Sequence, residues 1–121
     1  MKALRVKVGI KDIATGLDEF VATGERIRRG EKVKKESGVY FTSLEAFRRA
    51  LTPKRFELLH VVKTEQPSSI NQLARLVKRD IKNVAEDVAY LIQIGLIKPQ
   101  ESKKQTSPRV DYEQIVLEIA V

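Results

Sequence analysis

Residues 70–97 read INQLARLVKRDIKNVAEDVAYLIQIGLI, and the spacing of their apolar side chains predicts two consecutive helices followed by a strand. The first helix is short and ends at the polar break formed by residues 78–80, Lys-Arg-Asp. The second helix is longer and runs to Gly95, and a short apolar strand begins directly after this glycine. This order of elements is typical of a helix-turn-helix that leads into a wing, whose second helix usually lies in a DNA groove.

The second helix of this stretch is predicted to have two different faces. At about 100° per residue, its apolar side chains fall within one arc. These side chains are Ile81, Val84, Ala85, Val88, Leu91 and Ile92. The opposite side carries Lys82, Asn83, Glu86, Tyr90 and Gln93. One face is therefore expected to pack on a core while the other stays free.

Capping residues support the predicted helix limits. Ser69 precedes the first helix and Gln72 follows three residues later, which is the spacing of a capping box. Asp80 is suited to cap the second helix, because its carboxylate can accept the free amide hydrogens of the first turn. Gly95 follows the last periodic residue, where a helix commonly ends.

The sequence on the C-terminal side predicts a hairpin with a basic tip. Leu96-Ile97-Lys98 is expected to start one strand, and residues 115–119 are expected to form the returning strand. The polar segment between them, residues 99–109, carries Lys103, Lys104 and Arg109. On the N-terminal side, we expect a strand at residues 39–41, a helix capped by Ser43 that runs to Leu51, and a further helix that begins at Thr52-Pro53. Helices followed by such a hairpin describe a winged helix.

The first 38 residues are predicted to form a strand–helix extension. Residues 4–10 alternate between apolar and polar side chains, and a helix is expected from about residue 12 to residue 29. The polar run 30–38 reads as a linker. We therefore expect an α+β fold, mainly α, in which residues 1–38 are a possible dimerisation element and residues 39–121 are a winged helix-turn-helix domain. The extension helix is predicted to have an apolar stripe that one short strand can hardly cover. This stripe comprises Leu17, Phe20, Val21, Gly24 and Ile27.

Composition favours an anionic partner. The chain has 121 residues and a net charge of +7, so nucleic acid is the first expectation and an anionic membrane surface the second. Residues 1–40 hold ten Lys and Arg against six Asp and Glu, and residues 41–121 hold thirteen against ten, so there is no basic tail. No apolar run has membrane-spanning length and no signal-peptide core follows the start, so we expect a soluble, cytoplasmic protein and no membrane partner.

Residues that carry enzymatic chemistry are scarce. The chain has no cysteine and a single histidine, His60, within a predicted helix, so a zinc or other metal site and a thiolate are not expected. The glycines are scattered and form no phosphate-binding motif. We expect no catalytic residues, no cofactor and no enzyme. Tyr90 and Tyr112 could stack on bases, but each could equally edge the core.

The stretches YFTSLEAFRRALTPKRFELLHVV and SSINQLARLVKRDIKNVAEDVAYLIQIGLI resemble a known family. They are similar to the small prokaryotic winged helix-turn-helix proteins known as predicted transcriptional regulators or putative DNA-binding proteins, related to the MarR-like group. The resemblance covers roughly residues 39–119. It implies sequence-specific binding of double-stranded DNA, usually as a homodimer, in the control of transcription. Some members of the family resemble antitoxins, which implies a possible toxin protein as a further partner.

The candidate DNA-binding residues follow from this layout. The recognition helix and the turn before it would contribute Arg79, Lys82, Asn83 and Glu86. The wing and the backbone contacts would come from Ser69, Lys103, Lys104 and Arg109.

The sequence leaves two questions open: the role of the acidic residues in the second helix, and the function of the winged helix. Glu86 and Asp87 place two carboxylates beside the presumed reading face, although carboxylates repel phosphate. Glu86 could read a cytosine, the helix could enter the groove by its first turn only, or the contact could be weak. The winged helix could also be a protein-interaction module or an antitoxin without sequence-specific DNA binding. The residues of the predicted wing favour DNA, because they carry cations and lack apolar anchors.

Overall fold

The computed structural model describes residues 5–10, 18, 21–22, 24–26, 28–30, 38–102 and 105–119. They form a small α+β protein, as predicted. Its elements are, in chain order, β1 (Arg5–Ile10), β2 (Gly38–Phe41), α1 (Leu44–Ala50), α2 (Pro53–Glu65), α3 (Ile70–Val77), α4 (Ile81–Gln93), β3 (Lys98–Glu101), β4 (Thr106–Arg109) and β5 (Gln114–Ile119). Among the described residues, no helix combines the length and the apolar character needed to cross a membrane.

Contacts between residues group the chain into two compact units. The first comprises Arg5 and the described residues of 51–115, and the second comprises the described residues of 6–50 and 116–119. The division of the sequence into segments 1–38 and 39–121 stays a prediction. The candidate DNA-binding residues all fall within residues 51–115.

The first unit is built around α2, α3 and α4. Each helix contributes apolar side chains that are buried, and two residues after α4 complete this core. The buried residues are Leu58, Leu59, Val62, Leu73, Ala74, Val84, Val88, Leu91, Leu96 and Ile97. Burying a Leu, Ile or Val side chain contributes about 1.5–3 kcal/mol, so this cluster holds the three helices together.

Side-chain caps set the starts of three helices. The hydroxyls of Ser43, Thr52 and Ser69 accept hydrogen bonds from the amides of Ala46 (3.0 Å), Arg55 (3.3 Å) and Gln72 (3.1 Å). The Gln72 side chain accepts from the amide of Ser68, one residue earlier than a capping box requires. The predicted cap by Asp80 is wrong. Asp80 occupies the N-cap position, but its side chain makes no capping hydrogen bond.

Left-handed residues produce the turns on either side of α4. Lys78 has φ 56°, which reverses the chain after α3 and lets the amide of Arg79 donate to the carbonyl of Ala74 at 3.1 Å. Gly95 has φ 90°, a conformation that glycine adopts at no steric cost. The chain then folds back, and the amide of Leu96 donates to the carbonyl of Leu91 at 2.9 Å. The predicted strand start at Leu96-Ile97-Lys98 is confirmed at Lys98, where β3 begins, and is wrong for Leu96 and Ile97, which are buried in the bend before this strand.

The hairpin after α4 is shorter than the sequence predicts. β3 and β4 pair antiparallel, from Lys98 opposite Arg109 to Glu101 opposite Thr106. The expected returning strand at residues 115–119 exists as β5, but it belongs to the other sheet. Pro108 is the reason that the sequence of β4 predicts a loop and not a strand. Proline cannot donate a ladder hydrogen bond, but it is tolerated here because, among the described strands, β4 pairs with β3 alone and therefore has a free edge.

The second unit contains most of a three-stranded sheet with the order β2-β1-β5. β1 and β2 run parallel, with Lys7 opposite Gly38 and Ile10 opposite Phe41. Val8 is fully buried. Two ring carbons of Tyr40 lie only 2.8 Å from the position that a β-carbon on Gly9 would take, so a larger residue at this position would have to displace the Tyr40 ring. The strands at residues 4–10 and 39–41 are thus confirmed to within a residue.

The predicted extension helix is described only in part. Asp18, Ala22, Glu25, Arg26 and Arg28 are helical and exposed. Two positions of the predicted apolar stripe, Val21 and Gly24, are also helical and exposed. The other stripe positions and the linker residues 31–37 lie outside the described residues.

Candidate nucleic-acid interface

The outer face of α4 is exposed at four of its five predicted positions, whereas Tyr90 is half-buried. Lys82, Asn83 and Glu86 are exposed on its first two turns, and Gln93 is exposed on its last turn. The apolar arc is narrower than predicted, because Ile81 and Ala85 are exposed as well. The helices that pack on α4 cover only the centre of that arc, at Val84, Val88 and Leu91.

The β3–β4 hairpin lies beside α4. The two border a groove of about 210 Å³. It is lined by Ile70, Ala85, Val88, Ala89, Ile92, Pro99, Thr106, Ser107 and Pro108. The small side chains of Ala85 and Ala89 keep this groove open. The exposed face of α4 and the hairpin therefore form one continuous surface.

Asp87 lies in an ion-pair cluster on the other side of α4, which we call the Asp87 cluster and which comprises Arg55, Arg79, Asp87 and Tyr90. The Oδ1 atom of Asp87 accepts from Nε of Arg55 at 3.1 Å, and its Oδ2 atom accepts from Nη2 of Arg79 at 2.8 Å. All three side chains are mostly buried: Arg55 is 20% exposed, Arg79 is 19% exposed and Asp87 is 18% exposed. The Arg55 guanidinium also lies 4.2 Å from the centre of the Tyr90 ring. The cluster therefore ties α4 to the start of α2 and to the turn before α4.

The charges in the Asp87 cluster are unequal. Partial burial by itself would raise the pKa of the Asp87 carboxyl, but the hydrogen bonds and charges of Arg79 and Arg55 outweigh burial and hold this pKa below its ordinary value. Two guanidinium groups face one carboxylate, so the cluster keeps a net charge of +1. The Nη1 atom of Arg79 is buried and has no hydrogen-bond partner among the described residues.

This cluster changes the interpretation of two sequence positions. Asp87 does not add a second carboxylate to the exposed face of α4, because both of its oxygens are bound to arginines. Glu86 is the acidic residue that stays exposed on the first two turns of this face. Arg79 is a predicted groove contact, but its guanidinium is held in the cluster, and this geometry fits a role in positioning α4.

Ser69 and Arg109, two of the residues predicted to contact the DNA backbone, lie near one another. Ser69 caps α3, and its neighbour Ser68 lines a cavity of about 330 Å³ together with Lys63, Arg109 and Asp111. Arg109 is exposed on β4, where its Nη1 atom donates to Gln100 at 2.6 Å. Its Nε atom lies 3.7 Å from Asp111, which offsets part of its charge. The structure thus brings Arg109 close to the start of α3.

Lys103 and Lys104 lie outside the described residues. In the sequence, they fall between the two strands of the hairpin. Their predicted contact with phosphate stays a prediction.

Tyr90 and Tyr112, the two candidates for base stacking, both make contacts within the protein. The Tyr112 hydroxyl donates to the carbonyl of Leu96 at 2.7 Å, and burial raises the pKa of this phenol. Tyr90 lies under Arg55. Both positions favour the structural interpretation of these tyrosines over base stacking. His60 is exposed on α2.

Sequence reasoning missed Arg55. The Thr52-Pro53 helix start predicts that Arg55 lies in the first turn of α2, but its partner Asp87 is 32 residues away in sequence. A periodicity argument treats each helix separately and gives no signal for such a pair.

These observations define a small α+β protein in which an exposed polar helix face adjoins a two-stranded hairpin. The model of the HVO_A0114 family matches residues 50–117, which is more than half of the chain, and the chain belongs to this family. The matched residues include α2, α3, α4 and the hairpin. Comparisons with curated proteins and with solved structures give no match.

Proposed function

We propose that this protein is a DNA-binding transcriptional regulator with a winged helix-turn-helix domain. In this proposal, α3 and α4 are the helix-turn-helix and the β3–β4 hairpin is the wing. The observation that carries the proposal is the exposed face of α4, with Lys82 and Asn83, beside this hairpin. The net charge of +7 supports a polyanionic partner.

The size of α4 is compatible with binding in the major groove. Its 13 residues span about 20 Å, and a major groove about 12 Å wide admits an α-helix. Asn83 has the side chain that pairs with N6 and N7 of adenine, and Lys82 has the side chain that donates to guanine. Both lie in the first turn of α4, so we propose that this turn enters the groove.

The Asp87 cluster supports a rigid presentation of this face. It joins the turn before α4, at Arg79, to the side of α4 that does not face the hairpin. A reading residue must be held within a fraction of an ångström of its base, and locked side chains beneath the helix provide such support. We propose that Arg79 acts through Asp87, as a positioning residue.

The wing is proposed to supply affinity that does not depend on sequence. Lys103, Lys104 and Arg109 would neutralise phosphates, and each neutralised phosphate releases counterions. Ser69 would contact the backbone from the start of α3, where its hydroxyl hydrogen is available to donate. We further propose that the chain binds as a homodimer, because double-stranded operators and two-fold proteins match in symmetry.

Substitution of Asn83 tests the proposal. A preferred site is first selected from random duplexes with the full chain. Asn83→Ala is expected to cost about 1–3 kcal/mol on this site and little on random DNA. Gln93→Ala, at the far end of the same exposed face, is the matched control and is expected to change neither affinity.

Two results would contradict the proposal. An equal loss for Asn83→Ala on both duplexes means that Asn83 does not read a base. If the full chain binds no duplex even at low salt, the DNA proposal fails, and a protein-interaction module or an antitoxin that acts on a toxin protein becomes the better explanation of the fold.

A further inference from the structure

β5 forms an edge of the sheet in the second unit. In the order β2-β1-β5, β1 has a neighbour on both sides, whereas β5 has one neighbour among the described strands. Val116 and Leu117 are each 40% exposed, and Ile119 is 45% exposed. Because successive residues of a strand point to opposite faces, β5 has exposed apolar side chains on both of its faces.

This edge lacks the usual protection against pairing with another strand. Natural edge strands are commonly short, or they carry lysine, proline or a bulge. β5 has six residues, QIVLEI, and contains no proline and no cation. Its one acid, Glu118, is bound to Lys7 across the sheet at 2.8 Å. The side chains of β5 are therefore mainly apolar, and the single charge among them is offset by Lys7.

We infer that β5 is the homodimer contact, and that it pairs antiparallel with β5 of a second copy of this chain. A two-fold axis at Leu117 places this residue opposite the partner's Leu117. It also places Glu118 opposite the partner's Val116, so no like charges face each other. The two three-stranded sheets then join into one sheet of six strands.

A second copy fits this edge better than an unrelated strand. The segment around Leu117 is complementary to itself in this register, since apolar residues face apolar or neutralised ones. The chain has a net charge of +7, and β5 carries no lysine or arginine, so this strand adds little to the repulsion between two copies. β1, which the sequence assigns to the dimerisation element, cannot offer its backbone in this way, because both of its edges are already used by β2 and β5.

Cysteine cross-linking tests the register directly, because the chain has no cysteine of its own. Opposed residues of an antiparallel pair have Cα atoms about 4.5–5.5 Å apart, which is within the span of a disulfide. Leu117→Cys is therefore expected to form a covalent dimer under mild oxidation at low protein concentration. Leu76→Cys, which replaces a side chain 43% exposed on α3, is the matched control and is expected to stay monomeric on a denaturing gel.

Sedimentation velocity of the full chain, without DNA, gives the second measurement. The wild-type chain is expected to sediment at twice its mass of 13.7 kDa at tens of micromolar, and Leu117→Lys is expected to sediment as a monomer. Leu76→Lys is the control for an added surface charge, and circular dichroism checks that each variant is folded. A monomeric wild-type chain would overturn the inference, as would a dimer that survives Leu117→Lys.

One further variant distinguishes the rival interface. Val21→Lys alters the exposed helical position before β2. If it dissociates the dimer while Leu117→Lys does not, the contact lies on the extension helix and the inference is wrong. None of these measurements involves DNA, so their outcome is separate from that of the proposed function.

Discussion

Two adjacent acidic residues of α4 have different environments. Glu86 is exposed on the outer face, whereas the Asp87 carboxylate is bound by Arg55 and Arg79. The 100° rotation between neighbouring helix positions is enough to separate them. An exposed carboxylate and a carboxylate that is bound by two arginines can therefore be neighbours in the sequence.

Asp87→Asn is expected to destabilise the protein at neutral pH by about 1.5–3 kcal/mol, the usual worth of hydrogen bonds to charged groups. The pKa of Asp87 is depressed in the folded state. Its contribution is therefore fully present above the unfolded pKa of about 3.9 and is lost as the pH falls through the lower, folded value. The deficit of the variant should shrink below about pH 4. Urea unfolding at pH 7 and pH 3 measures both quantities.

A control separates this effect from the general loss of a negative charge. Asp111 is more exposed, and its partners Lys98 and Arg109 are both 3.7 Å away. Asp111→Asn is expected to change the stability little, because exposed ion pairs contribute about 0–1 kcal/mol. If Asp111→Asn and Asp87→Asn have the same pH profile, the cluster does not have the stabilising role argued for it.

Glu86→Gln tests the remaining carboxylate of the outer face. If this turn of α4 lies close to phosphates, removal of the charge should strengthen binding to all duplexes, with the largest gain at low salt. Fluorescence anisotropy with the preferred and a random duplex measures this. A loss confined to the preferred site would instead mean that Glu86 accepts a hydrogen bond from N4 of a cytosine. An unchanged affinity on both duplexes would place Glu86 outside the contact.

At the scale of elements, the helix limits could be read from the sequence. Ser43, Thr52 and Ser69 cap the helices that their positions predict, and Gly95 adopts the left-handed conformation expected after α4. These signals are local, because a cap bonds to an amide three residues away. The prediction for Asp80 failed since a side chain in the right position can still point away from the free amides.

The pairing of the strands, in contrast, could not be predicted from local sequence signals. β4 has the sequence TSPR, which has weak strand character, whereas β5 has the apolar sequence expected of a strand. Strand propensity therefore predicts that β3 pairs with β5, whereas β3 pairs with β4. A short connection from Glu101 to Thr106 outweighs strand propensity here, because neighbouring segments pair with little loss of chain entropy. The contact between Arg55 and Asp87 was equally invisible, since it depends on how α2 and α4 pack.

The hairpin carries a prediction of its own. Changing both Lys103 and Lys104 to Ala should weaken binding to every duplex by a similar factor. The slope of log affinity against log salt should flatten by about one unit for each lost phosphate contact. Titrations at several salt concentrations measure the slope. Lys54→Ala, an exposed lysine at the start of α2, is the control, and an equal change in slope there would assign the effect to general charge.

At the scale of the whole molecule, the positive charge is distributed along the chain. No segment is a basic tail, so the anion-binding surface that we propose would have to arise from folding. The candidate DNA-binding residues that the structure describes lie in the first compact unit, whereas Leu117 lies in the second. In these proposals, binding of DNA and association of two copies use different parts of the chain, and we expect that one variant can remove either property by itself.

This separation leads to a prediction about the preferred DNA. A two-fold dimer should select an inverted repeat, since each copy presents the same α4 to one half-site. The Leu117→Lys variant, as a folded monomer, should select a single half-site from the same random duplexes. Its affinity for one half-site should match that of the wild-type chain, while its affinity for the repeat should fall, because the second contact no longer benefits from a high effective concentration. Sequencing of both selected pools decides the matter. A wild-type pool without an inverted repeat would mean that the dimer does not form on DNA, whereas an inverted repeat selected by both proteins would place the dimer contact outside β5.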